Sequence, residues 1–257
     1  MPTLTVRYIG GPTAVLELAG LRLLTDPTFD APGAYPIGAR ALVKTVGPAL
    51  TAEATGPVDV VLLSHDQHPD NLDRAGRTLL ADAPLILTTT AATDRLDHPD
   101  ARALPNWRHI DLPRPDGGRL RITGVPALHG PEGSEPLVGE VTGFVLSGDD
   151  LPTVYVSGDN ASLDRVRQIA DRFPTIDVAL LFAGAARTPI VPDAPLTLTS
   201  ADAAEATRIL NARHIVPLHF EHWGHFTQDG TTLTKAFAEA GLSERLHLLS
   251  PGATVTF

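Results

Sequence analysis

The sequence predicts an α/β protein in which two β-sheets pack face to face with helices on their outer sides, a four-layer αββα sandwich. Three observations carry this prediction. The chain opens as a run of short strands punctuated by Gly and Pro. It then alternates strands with helical segments, and does so twice. No Gly/Ser-rich linker and no internal repeat divides it, so residues 1–257 read as one domain.

Taken in order, Thr3–Ile9, Ala14–Leu18 and Leu21–Thr25 are strand-like runs separated by Gly10-Gly11-Pro12 and Ala19-Gly20, as in a β-meander. The Pro/Gly-rich stretch from Asp26 to Pro57 reads as a long loop with a short helix, and a loop of that length usually covers a site. Val58–Leu63 is a continuous apolar, β-branched run that suits a buried strand. Leu72–Ala81 is helical, with Leu72, Ala75, Leu79 and Leu80 at helical spacing. Pro84–Thr89 and Leu120–Val125 are strands, and Gly143–Leu146 pairs with Thr153–Ser157 as a hairpin. Ser162–Arg172 is an amphipathic helix, and Val178–Phe182 is a buried strand. Thr199 and Asp202 form a capping-box start to a helix through Leu210. His214–Pro217 is a short strand, Leu233–Ala240 a final helix stopped by Gly241, and Leu246–Leu249 and Thr254–Phe257 close the chain as strands.

Composition narrows the function. The chain has no Cys, which excludes disulfides, thiolate ligands and thiol nucleophiles. A metal would have to be held by imidazole, carboxylate, amide or water. With 20 Lys+Arg against 30 Asp+Glu the net charge is −10, and an acidic surface repels a phosphate backbone, so a nucleic-acid partner is not expected. No apolar run approaches the roughly 18 residues of a membrane span, and MPTLTVRYIGG enters a strand pattern directly, without a secretory leader. These features predict a cytoplasmic protein acting on a small molecule, away from membranes; whether it self-associates stays open.

The informative pattern is that polar residues stand at the ends of predicted strands. His65, His68 and Asp70 follow Val58–Leu63, His129 follows Leu120–Val125, Asp159 follows Thr153–Ser157, and His219 follows His214–Pro217. Strand ends on a rigid sheet hold ligands accurately, and imidazole with carboxylate suits Zn²⁺, Mn²⁺ or Fe. His98, His109, His214 and His247 lack such placement and read as surface or core residues.

The order strand, Ser64-His65-x-x-His68-x-Asp70-Asn71, His129, Ser157-Gly158-Asp159, Pro217-Leu218-His219 resembles the metallo-β-lactamase superfamily across nearly the whole chain. Tyr8-Ile9-Gly10-Gly11 and Thr25-Asp26-Pro27 are similar to its ascorbate-6-phosphate-lactonase-like branch. The resemblance implies the metallo-β-lactamase fold and a bridging role for Asp159. It puts His129 in a first metal position and His219 in a second. Asp70 would be a second-site ligand that also orients or deprotonates the attacking water.

One departure is plain. The family's first motif is His-x-His-x-Asp-His, and here it reads His65-Asp66-Gln67-His68-Pro69-Asp70-Asn71. Either Gln67 is an insertion and both His65 and His68 bind metal, or Asp66 takes the first slot and His65 points away. Ser64 before His65 favours the insertion. In both registers Asn71 falls where a second-site His belongs, and an amide oxygen there makes a weaker site than imidazole. Asp66 reads as a partner orienting a His ring. His222 and His225, in a segment dense in polar and aromatic groups, are candidate proton donors.

The implied activity is metal-dependent hydrolysis of a lactone, an ester or a small phosphodiester, with one or two divalent ions, Zn first and Mn or Fe next. Asp70, His222 and His225 would be catalytic, and His65, His68, Asp70, Asn71, His129, Asp159 and His219 metal-binding. Two alternatives stand beside it: metal-centred oxygen or redox chemistry, and a non-catalytic ligand-binding module on the same fold.

Overall fold

The computed structural model describes residues 3–37 and 40–257. Strands β1 (Leu4–Gly10), β2 (Thr13–Leu18) and β3 (Leu21–Thr25) form the expected antiparallel meander. Asp26 to Pro57 differs from the expected loop. It holds a hairpin, β4 (Gly33–Ile37) with β5 (Arg40–Lys44), before the short helix α1 (Ala52–Thr55). Pro36 lies within β4, and proline is tolerated there because each strand of a two-stranded ribbon has an unpaired edge.

The chain then runs β6 (Val60–Leu62), α2 (Arg74–Leu80), β7 (Ile86–Thr88), α3 (Thr90–Leu96) and β8 (Ala101–Ala103), with β6, β7 and β8 parallel to β3. Helix α3 and strand β8 escape a sequence reading because neither carries an apolar run: α3 buries only Ala92, and β8 is Ala-Arg-Ala with no buried residue. The same plan repeats. β9 (His109–Pro113), β10 (Arg119–Pro126) and, after the turn of helix α4 (Glu135–Val138), β11 (Thr142–Ser147) are antiparallel neighbours. β12 (Val154–Val156) pairs with β11 as the expected hairpin. Then α5 (Leu163–Arg172), β13 (Val178–Phe182), α6 (Ser200–Ile209) and β14 (His214–Leu218) continue with β12, β13 and β14 parallel. Helix α7 (Gly230–Glu239) follows, and β15 (Thr254–Thr256) returns to pair with β1. The expected strand at Leu246–Leu249 is reduced to one bridge between Leu246 and Ile215.

One sheet has seven strands in the order β15-β1-β2-β3-β6-β7-β8, and the other has six in the order β14-β13-β12-β11-β10-β9. Three apolar clusters show the layering. Leu4, Val6, Leu16, Leu62, Ile122, Phe144, Leu180 and Val216 from both sheets meet in the middle. Val166, Ile169, Ala203, Leu233 and Phe237 of α5, α6 and α7 pack on the outer face of the second sheet. Leu72, Leu80 and Ala75 around α2 cover Val15, Leu24 and Val61 of the first. Helices outside and sheets inside is the four-layer αββα sandwich expected. Its consequence for function is geometric: loops leaving the C-terminal ends of the parallel strands of both sheets emerge at one edge, where open α/β sheets bind ligands.

Candidate metal centre

Each side chain of the centre is set by the element that precedes it. β6 ends at Leu62, and two residues on Ser64 donates its backbone N–H to Asp26 Oδ1 at 2.6 Å and its hydroxyl to Oδ2 at 2.6 Å. Asp26 itself sits just past β3, the neighbour of β6. The Ser64 Oγ is 2.9 Å from His65 Nδ1, which turns the opposite nitrogen, Nε2, inward. His65 Nε2 lies 3.0 Å from His68 Nδ1. His129, three residues beyond β10, is oriented the same way, its Nδ1 held by the Leu196 carbonyl at 2.8 Å. An imidazole fixed at one nitrogen presents the other to a metal.

Asp159 follows β12 through Gly158, whose backbone has φ 57° and whose added Cβ would stand 2.6 Å from the Thr142 carbonyl. Only glycine passes there, and it threads Asp159 between the two sheets. His219, one residue past β14, also has a left-handed backbone, φ 55°, and its N–H donates to the Gly11 carbonyl at 2.7 Å. The Gly10-Gly11 turn of the opening meander thus supports the last histidine. Strain kept at a non-glycine residue accords with a functional position.

These residues converge. His65, His68, His129 and Asp159 place one ligand atom each within 4.8 Å of one another, and so do Asp70, Asp159 and His219. Asp159 belongs to both groups. Its Oδ2 lies 3.9 Å from His65 Nε2 and its Oδ1 3.4 Å from His219 Nε2. Asp70 Oδ2 lies 3.3 Å from His219 Nε2 and 3.1 Å from His225 Nε2. Nearly all of this is buried.

The electrostatics fit a cation. Burial holds His65 well below the ordinary imidazole range and pushes His68 down to about 4, so both are neutral, as ligation requires. Asp159 and Asp70 stay ionised: burial pulls both up, but the surrounding imidazoles hold them below the usual carboxylate range. Burial lowers His219, yet Asp159 and Asp70 outweigh it and raise the group to about 10. The two carboxylates therefore demand positive charge between them. Both ring nitrogens of His219 are buried without a hydrogen-bond partner, a cost relieved by a ligand. Histidine and aspartate without thiolate is a donor set for a divalent ion such as Zn²⁺, Mn²⁺ or Fe²⁺.

Four residues differ from expectation. Asp66 orients no His ring. It faces Arg95, whose Nε is 3.0 Å from Oδ1 and 3.1 Å from Oδ2, while Ser64 orients His65. His65 is inside the cluster and Asp66 outside it, as an inserted Gln67 requires. Asn71 turns its amide N–H groups, not its oxygen, toward the shared carboxylate. Its Nδ2 donates to Asp26 Oδ2 at 3.0 Å and to Asp159 Oδ1 at 3.2 Å, and its Oδ1 has no partner. It steadies the shared carboxylate by hydrogen bonds, because an amide placed between two buried carboxylates is drawn in through its N–H groups. His222 does not reach the cluster. It packs on Gly10, where an added Cβ would lie 2.6 Å from its ring, and its Nε2 is 3.8 Å from Glu221. Only His225 of the two proposed proton donors approaches Asp70. Asp26, seen in the sequence only as part of Thr25-Asp26-Pro27 and given no site role there, is the fourth. Burial raises its carboxyl to about 7 against the donors Ser64 and Asn71.

Comparison with known proteins agrees with this geometry. The family model described as a beta-lactamase superfamily domain matches residues 21–220. A relative from Pelotomaculum thermopropionicum described as a metal-dependent hydrolase is 30% identical over 203 residues, 77% of this chain and 82% of its own. Among solved structures, an isothiocyanate hydrolase from Delia radicum gut bacteria superposes with a TM-score of 0.81 at 23% identity, covering 98% of each chain. A possible metal-dependent hydrolase from Veillonella parvula gives 0.84 at 19% identity, covering 100% of each. The chain belongs to the beta-lactamase superfamily, has the metallo-β-lactamase fold, and takes its place there among the metal-dependent hydrolases.

Proposed function

We propose that the protein hydrolyses a small lactone, ester or phosphodiester at this centre, with a water as nucleophile. The observation that carries the reading is the pair of ligand groups sharing Asp159 at one edge of the sandwich. A divalent ion held there, with zinc the first candidate and manganese or iron next, would supply an acidified water and Lewis-acid stabilisation of the developing oxyanion.

The chain's own residues divide the remaining work. His65, His68, His129 and Asp159 form one ligand set, and Asp70, Asp159 and His219 the other. Asp70 faces His219 on one side and His225 on the other, so it is placed to orient the water and accept its proton. His225, with 14% of its side chain exposed, is placed to deliver a proton to the leaving group. Asn71 and Asp26 act through others: they hold Asp159 and Ser64, and Ser64 holds His65.

The test is metal counting by mass spectrometry joined to hydrolysis of simple lactones, esters and a bis(aryl) phosphodiester. At least one divalent ion per chain is expected, with activity lost on exhaustive chelation and restored by the same ion. Asp159→Ala should lower both metal content and turnover, the latter by at least about 100-fold for loss of a group acting on the transition state. Turnover that survives chelation unchanged overturns the mechanism.

A further inference from the structure

A polar groove of about 510 Å³ opens beside the centre, where the ends of β7 and β8 in one sheet meet the end of β10 in the other. His129 stands on its wall, so the groove and the first ligand group share a residue. Nothing in the proposed hydrolysis uses the rest of it.

Its chemistry is selective in two ways. Hydrogen-bonding side chains recur along it, with Thr90, Asn106 and Gln168 among them. Charge works against anions: Glu135 and Glu140 both line the groove, and the lining cation, Arg165, is already paired with Glu132 at 3.3 Å. A phosphate entering here meets two lining carboxylates, with the one lining guanidinium shared with Glu132 and the Arg172 guanidinium covered by the indole. An uncharged, hydroxyl-bearing molecule meets donors and acceptors without repulsion.

Trp107, also in the lining, is the second observation. Its backbone has φ 68°, in a turn closed by the Arg108 N–H donating to the Pro105 carbonyl at 3.0 Å. Glycine is the usual residue at a left-handed turn position, and a bulky aromatic one is a steric outlier. The turn is nonetheless pinned. The Trp107 N–H donates to the Gly124 carbonyl at 2.7 Å, and the Gly124 N–H to the Arg108 carbonyl at 2.9 Å. The Arg172 guanidinium lies 4.1 Å from the ring centroid and fixes the indole. Strain that a glycine would relieve, retained on the wall of a polar groove next to a candidate ligand, points to use of the ring.

We propose that this groove binds the part of the substrate that is not attacked and selects an uncharged, hydroxyl-bearing ring. Trp107 supplies the packing surface, and Asn106 and Gln168 supply hydrogen bonds. The inference rests on the hydrolase reading and narrows it, favouring a neutral hydroxylated lactone over a phosphodiester.

The metal-loaded protein carrying Trp223→Phe keeps Trp107 as its sole tryptophan. Its emission is followed while D-glucono-δ-lactam, an uncharged ring that resists hydrolysis, is added, and separately glucose 6-phosphate. A saturable change with the lactam is expected, at least tenfold weaker with the phosphate, and at least tenfold weaker for the lactam after Asn106→Ala with Gln168→Ala. In the wild-type background Trp107→Gly removes the ring while relieving the backbone. It should raise KM for D-glucono-1,5-lactone at least tenfold and leave phenyl acetate, too small to fill the groove, unaffected. If phenyl acetate is hydrolysed normally but the lactam and the phosphate bind equally, or neither alters the emission, the groove assignment fails while the hydrolase reading stands. If the lactam binds as expected and metal-loaded protein hydrolyses no ester, lactone or phosphodiester, the hydrolase reading fails, and with it the substrate role of the groove.

Discussion

Histidines three residues apart in this chain have opposite assignments. His219 stands between two carboxylates and is raised to about 10, whereas burial, with Lys44 nearby, pushes His222 down to about 4. Sequence spacing does not separate them; the turn of the backbone between them does, since both have positive φ. The sign for His222 follows from linkage. Its folded value lies below the roughly 6.5 of an unfolded histidine, so between these values the unfolded chain binds more protons and stability falls as pH falls. The contribution is fully present above about pH 6.5 and lost by about pH 4. Urea midpoints measured across this range should fall with acid in the wild type and fall less steeply in His222→Gln. An unchanged slope would mean that His222 ionises freely in the folded protein. Asn71 teaches a related lesson. Its position in the motif marked it as a weak ligand, but two buried carboxylates draw on its N–H groups, and that preference depends on Asp26, 45 residues away in sequence.

At the scale of elements, the helices and strands that bear the ligands were legible, because they are buried and either periodic or continuously apolar. The capping box at Thr199 and Asp202 was legible too, since its partners are three residues apart. The hairpin of β4 and β5 was not. Its stability comes from distant contacts: the Thr45 N–H donates to the His222 carbonyl at 2.7 Å, the Gly224 N–H to the Val43 carbonyl at 2.9 Å, and Tyr35 packs on Trp223. Lys44 is the central tie. Its ammonium, 2% exposed, lies 3.0 Å from Asp73 Oδ2, donates to the Thr28 carbonyl at 3.1 Å, and sits 5.5 Å from the Trp223 ring. Breaking a buried ion pair from one side strands the other charge, so Lys44→Met should cost about 3 kcal/mol in urea unfolding. Lys44→Met with Asp73→Leu should cost less than the sum of the single changes, as a coupled pair requires. Additive losses would show that the pair is not coupled.

At the scale of the molecule, the two sheets bring seven ionisable side chains from the four loops after β6, β10, β12 and β14 into one buried edge, counting His225 with the two ligand groups. Two buried carboxylates face the single positive charge of His219 there, and a bound cation answers the remaining negative charge. Stripping the metal should therefore lower thermal stability as well as activity. An ion present at about 100 times its dissociation constant adds about 2.7 kcal/mol, or about 5–10 °C in Tm for a chain of this size. Calorimetry of chelated and reloaded protein measures this. Equal melting temperatures in the two states would show that no ion is bound tightly at the centre.

By itself the sequence determined the αββα architecture and the order in which histidines and aspartates leave the strands, because both depend on local periodicity and on which residue ends a buried run. Tertiary structure alone decided which of those side chains meet. It turned His65 inward through Ser64 and Asp26, gave Asp66 to Arg95, set His225 rather than His222 against Asp70, and placed Trp107 on the wall of a groove that ends at His129. Each of these is a contact between distant segments, and its energy exists only once both sheets have packed.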